Sequence, residues 1–271
     1  MIDFNKENSF VKLKDKKWLE DQRIAGKIAS KSIEFLYDQV LSNTKKNLIQ
    51  LNEEAEKIIT ESGGIPTFKG YKGFPAGVCI SVNKQIVHGI PTDYELKDGD
   101  LVSFDLGVTY NGAIADTAIT CIFGSPKIPN HKNLIESCRE SLYSGIKAIN
   151  VGKRLGVIGN AIYKYGKGKG FGVIHDYGGH GLDKDKPHAP PFVPNKQSQD
   201  EGIRIQSGLT IAIEPMLTIG STVTSVLDDK WTVVTPDFGS HFEHSVFIHE
   251  DHVEILTHNK TDSIEPKLYF K

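Results

Sequence analysis

Four carboxylates and three histidines in this chain stand in settings that invite chemistry. Asp105 and Asp116 lie in alternating apolar runs on either side of Asn111-Gly112, the dipeptide that most strongly signals a two-residue hairpin turn. With Tyr110 opposite Ala113, Asp105 faces Ala118 and Gly107 faces Asp116. The two aspartates then share one face as diagonal neighbours, about 7 Å apart at Cα, within reach of a common ion. Carboxylates converging on an apolar face repel each other unless protons or cations compensate them, so the pair predicts a cation; the plain alternative is that one or both face water. Ser103, Gly107 and Ala118, on the same face, are small and leave room for a ligand. His180 stands in Gly178-Gly179-His180-Gly181, where glycines let the backbone approach a ligand closely and the imidazole can donate to a metal. His88, before Gly89-Ile90-Pro91, and His188, before Ala189-Pro190-Pro191, sit in stiff loops. Glu214 closes the apolar run from Leu209 to Ile213 ahead of Pro215, and Glu243 interrupts the core-like run from His241 to Ile248. Each glutamate reads either as a metal ligand or as a satisfied buried ion pair.

These residues need elements to hold them. Apolar positions at helical spacing predict a helix over 14–40, through Leu19, Ile24, Ile28, Phe35, Leu36 and Val40, and a second over 47–61, stopped by Gly63-Gly64. Gly70, Gly73, Pro75 and Gly77 then punctuate short apolar runs such as Val78–Val82, the pattern of strands and turns. Further helices are expected over about 133–149 and 155–164, with strands after them. Helices, strands, helices, strands is the order of a mixed α/β fold, an α+β arrangement of two similar halves around one core, and no linker divides it, so residues 1–271 read as a single domain. Polar terminal stretches, 1–11 and 261–271, read as mobile arms.

Composition sets outer bounds. The 271 residues are 38% hydrophobic and 24% charged with a formal net charge of −2, which excludes a disordered chain and gives no field to gather nucleic acid or anionic membrane. No apolar run approaches the roughly 18 residues of a membrane span and no apolar signal core opens the chain, so a cytoplasmic protein is expected. Three widely spaced cysteines, Cys79, Cys121 and Cys138, form neither a disulfide framework nor a thiolate zinc site. A metal here must sit on nitrogen and oxygen.

Taken together, the Asp105 and Asp116 pair, His180 in its glycine loop, Glu214 in Ile-Glu-Pro-Met and Glu243 in Phe-Glu-His-Ser resemble the five-ligand dinuclear site of the methionine aminopeptidases, type I, of peptidase family M24. His88 in His-Gly-Ile-Pro, Gly70–Pro75 and Val78–Asn83 extend the resemblance, which runs from about residue 24 to 256. His180 and Glu214 stand only 34 positions apart, too close for the helical insertion of the second type. The resemblance implies a pita-bread fold with pseudo-twofold halves around a curved antiparallel sheet, and a metal-dependent aminopeptidase that removes the initiator methionine of nascent polypeptides whose second residue is small.

By the same resemblance, Asp105 chelates one ion, Asp116 and Glu243 bridge both, and His180 with Glu214 completes the other. The cofactors are then two divalent ions, Mn²⁺, Fe²⁺, Co²⁺ or Zn²⁺, on an oxygen-rich donor set. Such ions activate a water and steady the tetrahedral oxyanion. Glu214 carries the proton to the leaving amine, His88 meets the substrate near the scissile bond, and His188 hydrogen-bonds its carbonyl oxygen or the oxyanion. Tyr71, Cys79 and Trp231 line the methionine pocket, unless they are ordinary core. Implied partners are nascent N-termini at the ribosome, met by a monomer with no nucleic acid or membrane of its own. The chain departs from the bacterial pattern at Phe68 and Phe74, which replace cysteine and tyrosine, and before His188, where Pro187 replaces an aromatic and the gap from His180 is one residue longer. Two other readings keep the fold: an Xaa-Pro peptidase, whose members usually carry an extra N-terminal domain, and a catalytically silent binding protein, which the retained ligand set disfavours.

Overall fold

A computed structural model describes residues 11–44 and 47–270. Helix α1 spans Lys16–Leu41, α2 Leu48–Glu61, α3 Asn130–Lys147 and α4 Gly156–Gly168. The strands are β1 Ile65–Pro66, β2 Val78–Val82, β3 Gln85–Val87, β4 Leu101–Tyr110, β5 Ala113–Ile122, β6 Gly172–Val173, β7 Gly178–Asp183, β8 Lys186–Pro194, β9 Thr210–Ile213, β10 Met216–Thr218, β11 Ser225–Val226, β12 Val233–Val234, β13 Gly239–His241, β14 Glu243–Ile248, β15 His252–Ile255 and β16 Lys267–Tyr269. The alternation of helical and strand-rich blocks is the expected one. Capping chemistry sets the helix starts: Asp15 accepts from Trp18 N at 2.8 Å, and Asn47 with Gln50 forms a reciprocal capping box. Lys14 falls outside α1 because Asp15, in extended conformation, caps the helix after it; the Lys14 N–H donates to Gly208 O.

The main sheet has ten strands with antiparallel pairing, in the order β1, β4, β5, β14, β9, β7, β8, with β2 also on β4 and β15 and β16 extending from β14. Strands β4 and β5 pair in the register set by the Asn111-Gly112 turn, Asp105 opposite Ala118 and Gly107 opposite Asp116. Val102, Phe104, Leu106 and Val108 therefore point into the helix-covered core, where they are fully buried with Ile28, Ile33 and Leu36 of α1. The alternate residues, Ser103, Asp105 and Gly107 with Asp116, Ala118 and Thr120, occupy the opposite face. Strand β14 joins that face by pairing Glu243 with Ala118, and its other side pairs with β9, His244 opposite Ile213. Helices α3 and α4 pack on each other and against β13, β10 and β8.

The C-terminal stretch is not the arm expected of it. Strand β16 pairs with β15, and Asp262 takes hydrogen bonds from Tyr143 Oη at 2.7 Å and His244 Nε2 at 3.0 Å, so a polar sequence is held by buried polar partners. Of the other arm, residues 1–10 lie outside the described residues.

Candidate metal centre and pocket

Five side chains, from four strands and one strand break, meet at one end of a cavity of about 320 Å³. Asp105 comes from β4, Asp116 from β5, His180 from β7, Glu214 from the break after β9, and Glu243 from the start of β14. Ligating atoms of Asp116, His180 and Glu243 all lie within 4.8 Å of one another. His180 Nε2 is 3.5 Å from Glu214 Oε1 and 4.0 Å from Asp116 Oδ2. His180 Nδ1 lies 3.2 Å from Gly181 O, so a proton there leaves Nε2 as the free lone pair.

The glycines around His180 serve a different purpose from the one expected. A Cβ at Gly179 would stand 2.1 Å from Ala212 O, and one at Gly181 would stand 2.0 Å from Pro190 O. They admit β7 between β9 and β8 and so seat the imidazole, instead of clearing space for a ligand. The β7–β8 pairing shifts register twice, after His180 and after Gly181. The His188 ring ends 4.5 Å from that of His180 and 5.3 Å from that of Tyr71.

His88 adopts φ +59°, a left-handed conformation uncommon outside glycine, between β3 and a Gly89 packed too tightly against Ile80 O to carry a Cβ. Its ring stands edge-on to Trp231 at 6.4 Å and to Tyr177 at 6.1 Å. Beside it, Phe68, Phe74, Ala76 and Cys79 form a small apolar cluster with Trp231 packed against it, and Phe74 meets Trp231 edge-on at 5.2 Å. Tyr71, Cys79 and Trp231 thus line the cavity, and so do Phe68 and Phe74. Tyr177 and Met216 line it unanticipated, as members of short loops and three-residue strands that carry no period. His241, also unanticipated, places Nε2 3.6 Å from Glu214 Oε2; its signal was its position two residues before Glu243.

Burial sets the charge state. Asp105 and Glu243 are pushed well above the usual carboxylate range, Asp116 to about 7 and Glu214 to about 8, by desolvation first and, except at Asp116, by the neighbouring carboxylates next. Desolvation lowers His180 to about 3 and His88 to about 4, so both rings are neutral at physiological pH.

The profile of metallopeptidase family M24 matches residues 20–250. The chain belongs to this family. Within it, a methionine aminopeptidase of Clostridium perfringens is 42% identical over 90% of this chain and 98% of its own, and methionine aminopeptidase 1 of Mycobacterium tuberculosis is 44% identical over 77% and 81%. The crystal structure of methionine aminopeptidase from Rickettsia prowazekii superposes with a TM-score of 0.86 at 32% identity, covering 92% of this chain and all of that one. The mixed α/β architecture with its curled antiparallel sheet is therefore the pita-bread fold of these M24 enzymes. Divalent-metal binding comes with the family, and the residues fit it. Asp105 Oδ1, Asp116 Oδ1 and Glu243 Oε1 are buried with no hydrogen-bond partner among the described residues, a costly state that a cation relieves. Four carboxylates and one imidazole make a hard, oxygen-rich donor set.

Proposed function

We propose that this chain is a methionine aminopeptidase that hydrolyses the first peptide bond of nascent polypeptides when the second residue is small. One observation carries the reading: five metal-type donors, three with orphaned carboxylate oxygens, form one end of a cavity whose apolar surfaces, Phe68, Tyr71, Phe74, Cys79 and Trp231, suit a thioether. Asp105, Asp116, His180, Glu214 and Glu243 hold two divalent ions, of which Mn²⁺, Fe²⁺, Co²⁺ and Zn²⁺ all suit the donors. When bound, these ions supply Lewis-acid activation of water and of the scissile carbonyl.

The chain's own groups do the rest. Glu214, the least shielded of the carboxylates with 13% of its side chain exposed, takes a proton from the attacking water and delivers it to the leaving amine. His188, at the cavity mouth beside His180, donates to the carbonyl oxygen as charge develops on it. His88, fixed by its backbone, contacts the peptide beside the scissile bond. Tyr71, Cys79 and Trp231 hold the methionine side chain. The enzyme acts as a cytoplasmic monomer on N-termini emerging from the ribosome; among the described residues no helix is long and apolar enough to cross a membrane.

A peptide panel tests the reading. Protein loaded with Mn²⁺ or Co²⁺ is expected to release methionine from Met-Ala-Ser and to leave Lys-Pro and Ala-Pro dipeptides intact, with His180→Ala inactive. Preferential cleavage of the proline dipeptides, or no turnover with any divalent ion, contradicts it.

A further inference from the structure

We propose that His241 is a positioning residue of the metal centre, whose imidazole N–H holds Glu214 Oε2 and so presents Oε1 to the cation beside His180. The inference rests on the reading above, in which Glu214 is a ligand. Glu214 lies between two buried imidazoles, one to each oxygen: Oε1 is 3.5 Å from His180 Nε2 and Oε2 is 3.6 Å from His241 Nε2. The rings differ in what they can do. His180 can place its proton on Nδ1 toward Gly181 O and keep Nε2 for a metal, whereas His241 Nε2 is buried with no hydrogen-bond partner among the described residues. A carboxylate oxygen slightly beyond hydrogen-bond range is the acceptor that nitrogen faces, and such contacts are commonly loose until a site is loaded.

The backbones behind the pair are locked together. Thr120 Oγ1 donates to His241 O at 2.8 Å and accepts from His241 N at 2.9 Å. The Cys138 thiol of α3 reaches Pro215 O at 3.3 Å and Ser240 O at 3.2 Å, the residues next to Glu214 and His241. Asn195 Nδ2 donates to Glu214 O at 3.0 Å, and β13 pairs His241 with Met216, two residues beyond Glu214. The framework therefore sets the spacing of the two side chains. Burying an imidazole with an unmet N–H forfeits its hydration for nothing, so a packing role alone would be better served by an apolar side chain.

The test compares His241→Gln, which keeps an N–H donor, with His241→Leu, which keeps bulk without one. Mn²⁺ affinity of metal-stripped protein is measured by calorimetry, the Co²⁺ visible spectrum is recorded, and kcat and KM are determined on Met-Ala-Ser. The leucine variant is expected to bind Mn²⁺ about 10–100-fold more weakly, to shift the Co²⁺ bands and to lose kcat with KM little changed. The glutamine variant is expected to restore affinity to within a few-fold. Should the leucine variant not fold, His241→Asn, whose amide is too short to reach Oε2, takes its place with the same expectations. Unaltered Mn²⁺ affinity and Co²⁺ spectrum in the donor-less variant, whatever its Tm, overturn the proposal; so does a glutamine variant as weak as leucine, which would make the ring nitrogen itself a ligand. Metal binding is read without a peptide, so normal loading of all variants with no methionine release indicts the functional reading instead.

Discussion

Asp105, Asp116, Glu214 and Glu243 bring four acidic groups to one buried end of the cavity, where the adjacent imidazoles of His180 and His241 are neutral. In the unfolded chain such carboxyls ionise at about pH 4. In the metal-free fold Asp116 and Glu214 keep their protons to about 7 and 8. Between these limits the four carboxyls bind more protons folded than unfolded and lower stability as pH rises, while the neutral buried imidazoles of His88, His180 and His241 oppose that slope up to about pH 6.5, so the carboxyls set the sign only above it. Tm measured in EDTA is expected to decline from pH 7 to pH 8, above the range in which the histidines of the unfolded chain lose their protons. Saturating Mn²⁺ is expected to raise Tm and flatten or reverse that slope, because a cation binds the deprotonated ligands. A Tm in EDTA that climbs with pH over this range contradicts the burial of these groups. The aspartate pair was legible from two facts, an Asn-Gly turn and the two-residue period of a strand. His241 was not, because β13 and β14 break at Phe242 and its acceptor comes from a segment 27 positions earlier.

At the scale of elements, the site depends on how tightly β7 is wedged between β9 and β8. Gly179→Ala and Gly181→Ala each push a methyl into a backbone oxygen, Ala212 O or Pro190 O. Each is expected to destabilise the protein by about 1–3 kcal/mol and to lower bound metal after gel filtration, since the strand that moves carries His180. Control substitutions at Gly168 or Gly152 differ: an added Cβ meets nothing within 4 Å, although Gly152 carries backbone strain of its own at φ +88°. An alanine at Gly179 or Gly181 that binds metal normally would show that the sheet yields there. Helices were the most legible elements, each found within a few residues of its expected span, because a long apolar stripe averages over local noise. The two- and three-residue strands β6 and β10 to β13 carry too few residues for any period and form because tertiary partners supply their hydrogen bonds.

Across the whole molecule, distant segments are tied by buried polar groups. Gln22 of α1 donates to Ile114 O and Thr210 Oγ1, Arg23 makes a two-pronged pair with Glu254, and Asp262 near the C-terminus gathers Tyr143, His244 and Asn259 N. Desolvation works against the Asp262 charge, but the His244 contact and the other donors outweigh it and hold the carboxyl near 2. Asp262→Ala is expected to lower Tm by several degrees by leaving Tyr143 and His244 unpartnered, with metal stoichiometry intact below the transition. Polarity at residues 261–270 misread as freedom, since what holds that stretch is a buried carboxylate site at Asp262 that gathers Tyr143 of α3 and His244 of β14, and a strand pairing of β16 with β15, none of which a polar composition announces.

Anomalous diffraction from Mn²⁺-loaded crystals tests the central claim most directly. Two peaks are predicted at this cluster, each within about 2.0–2.3 Å of donor atoms drawn from Asp105, Asp116, His180, Glu214 and Glu243. No peak at this cluster, or density only at the His249, His252 and Glu254 group on the β14–β15 turn, would contradict it.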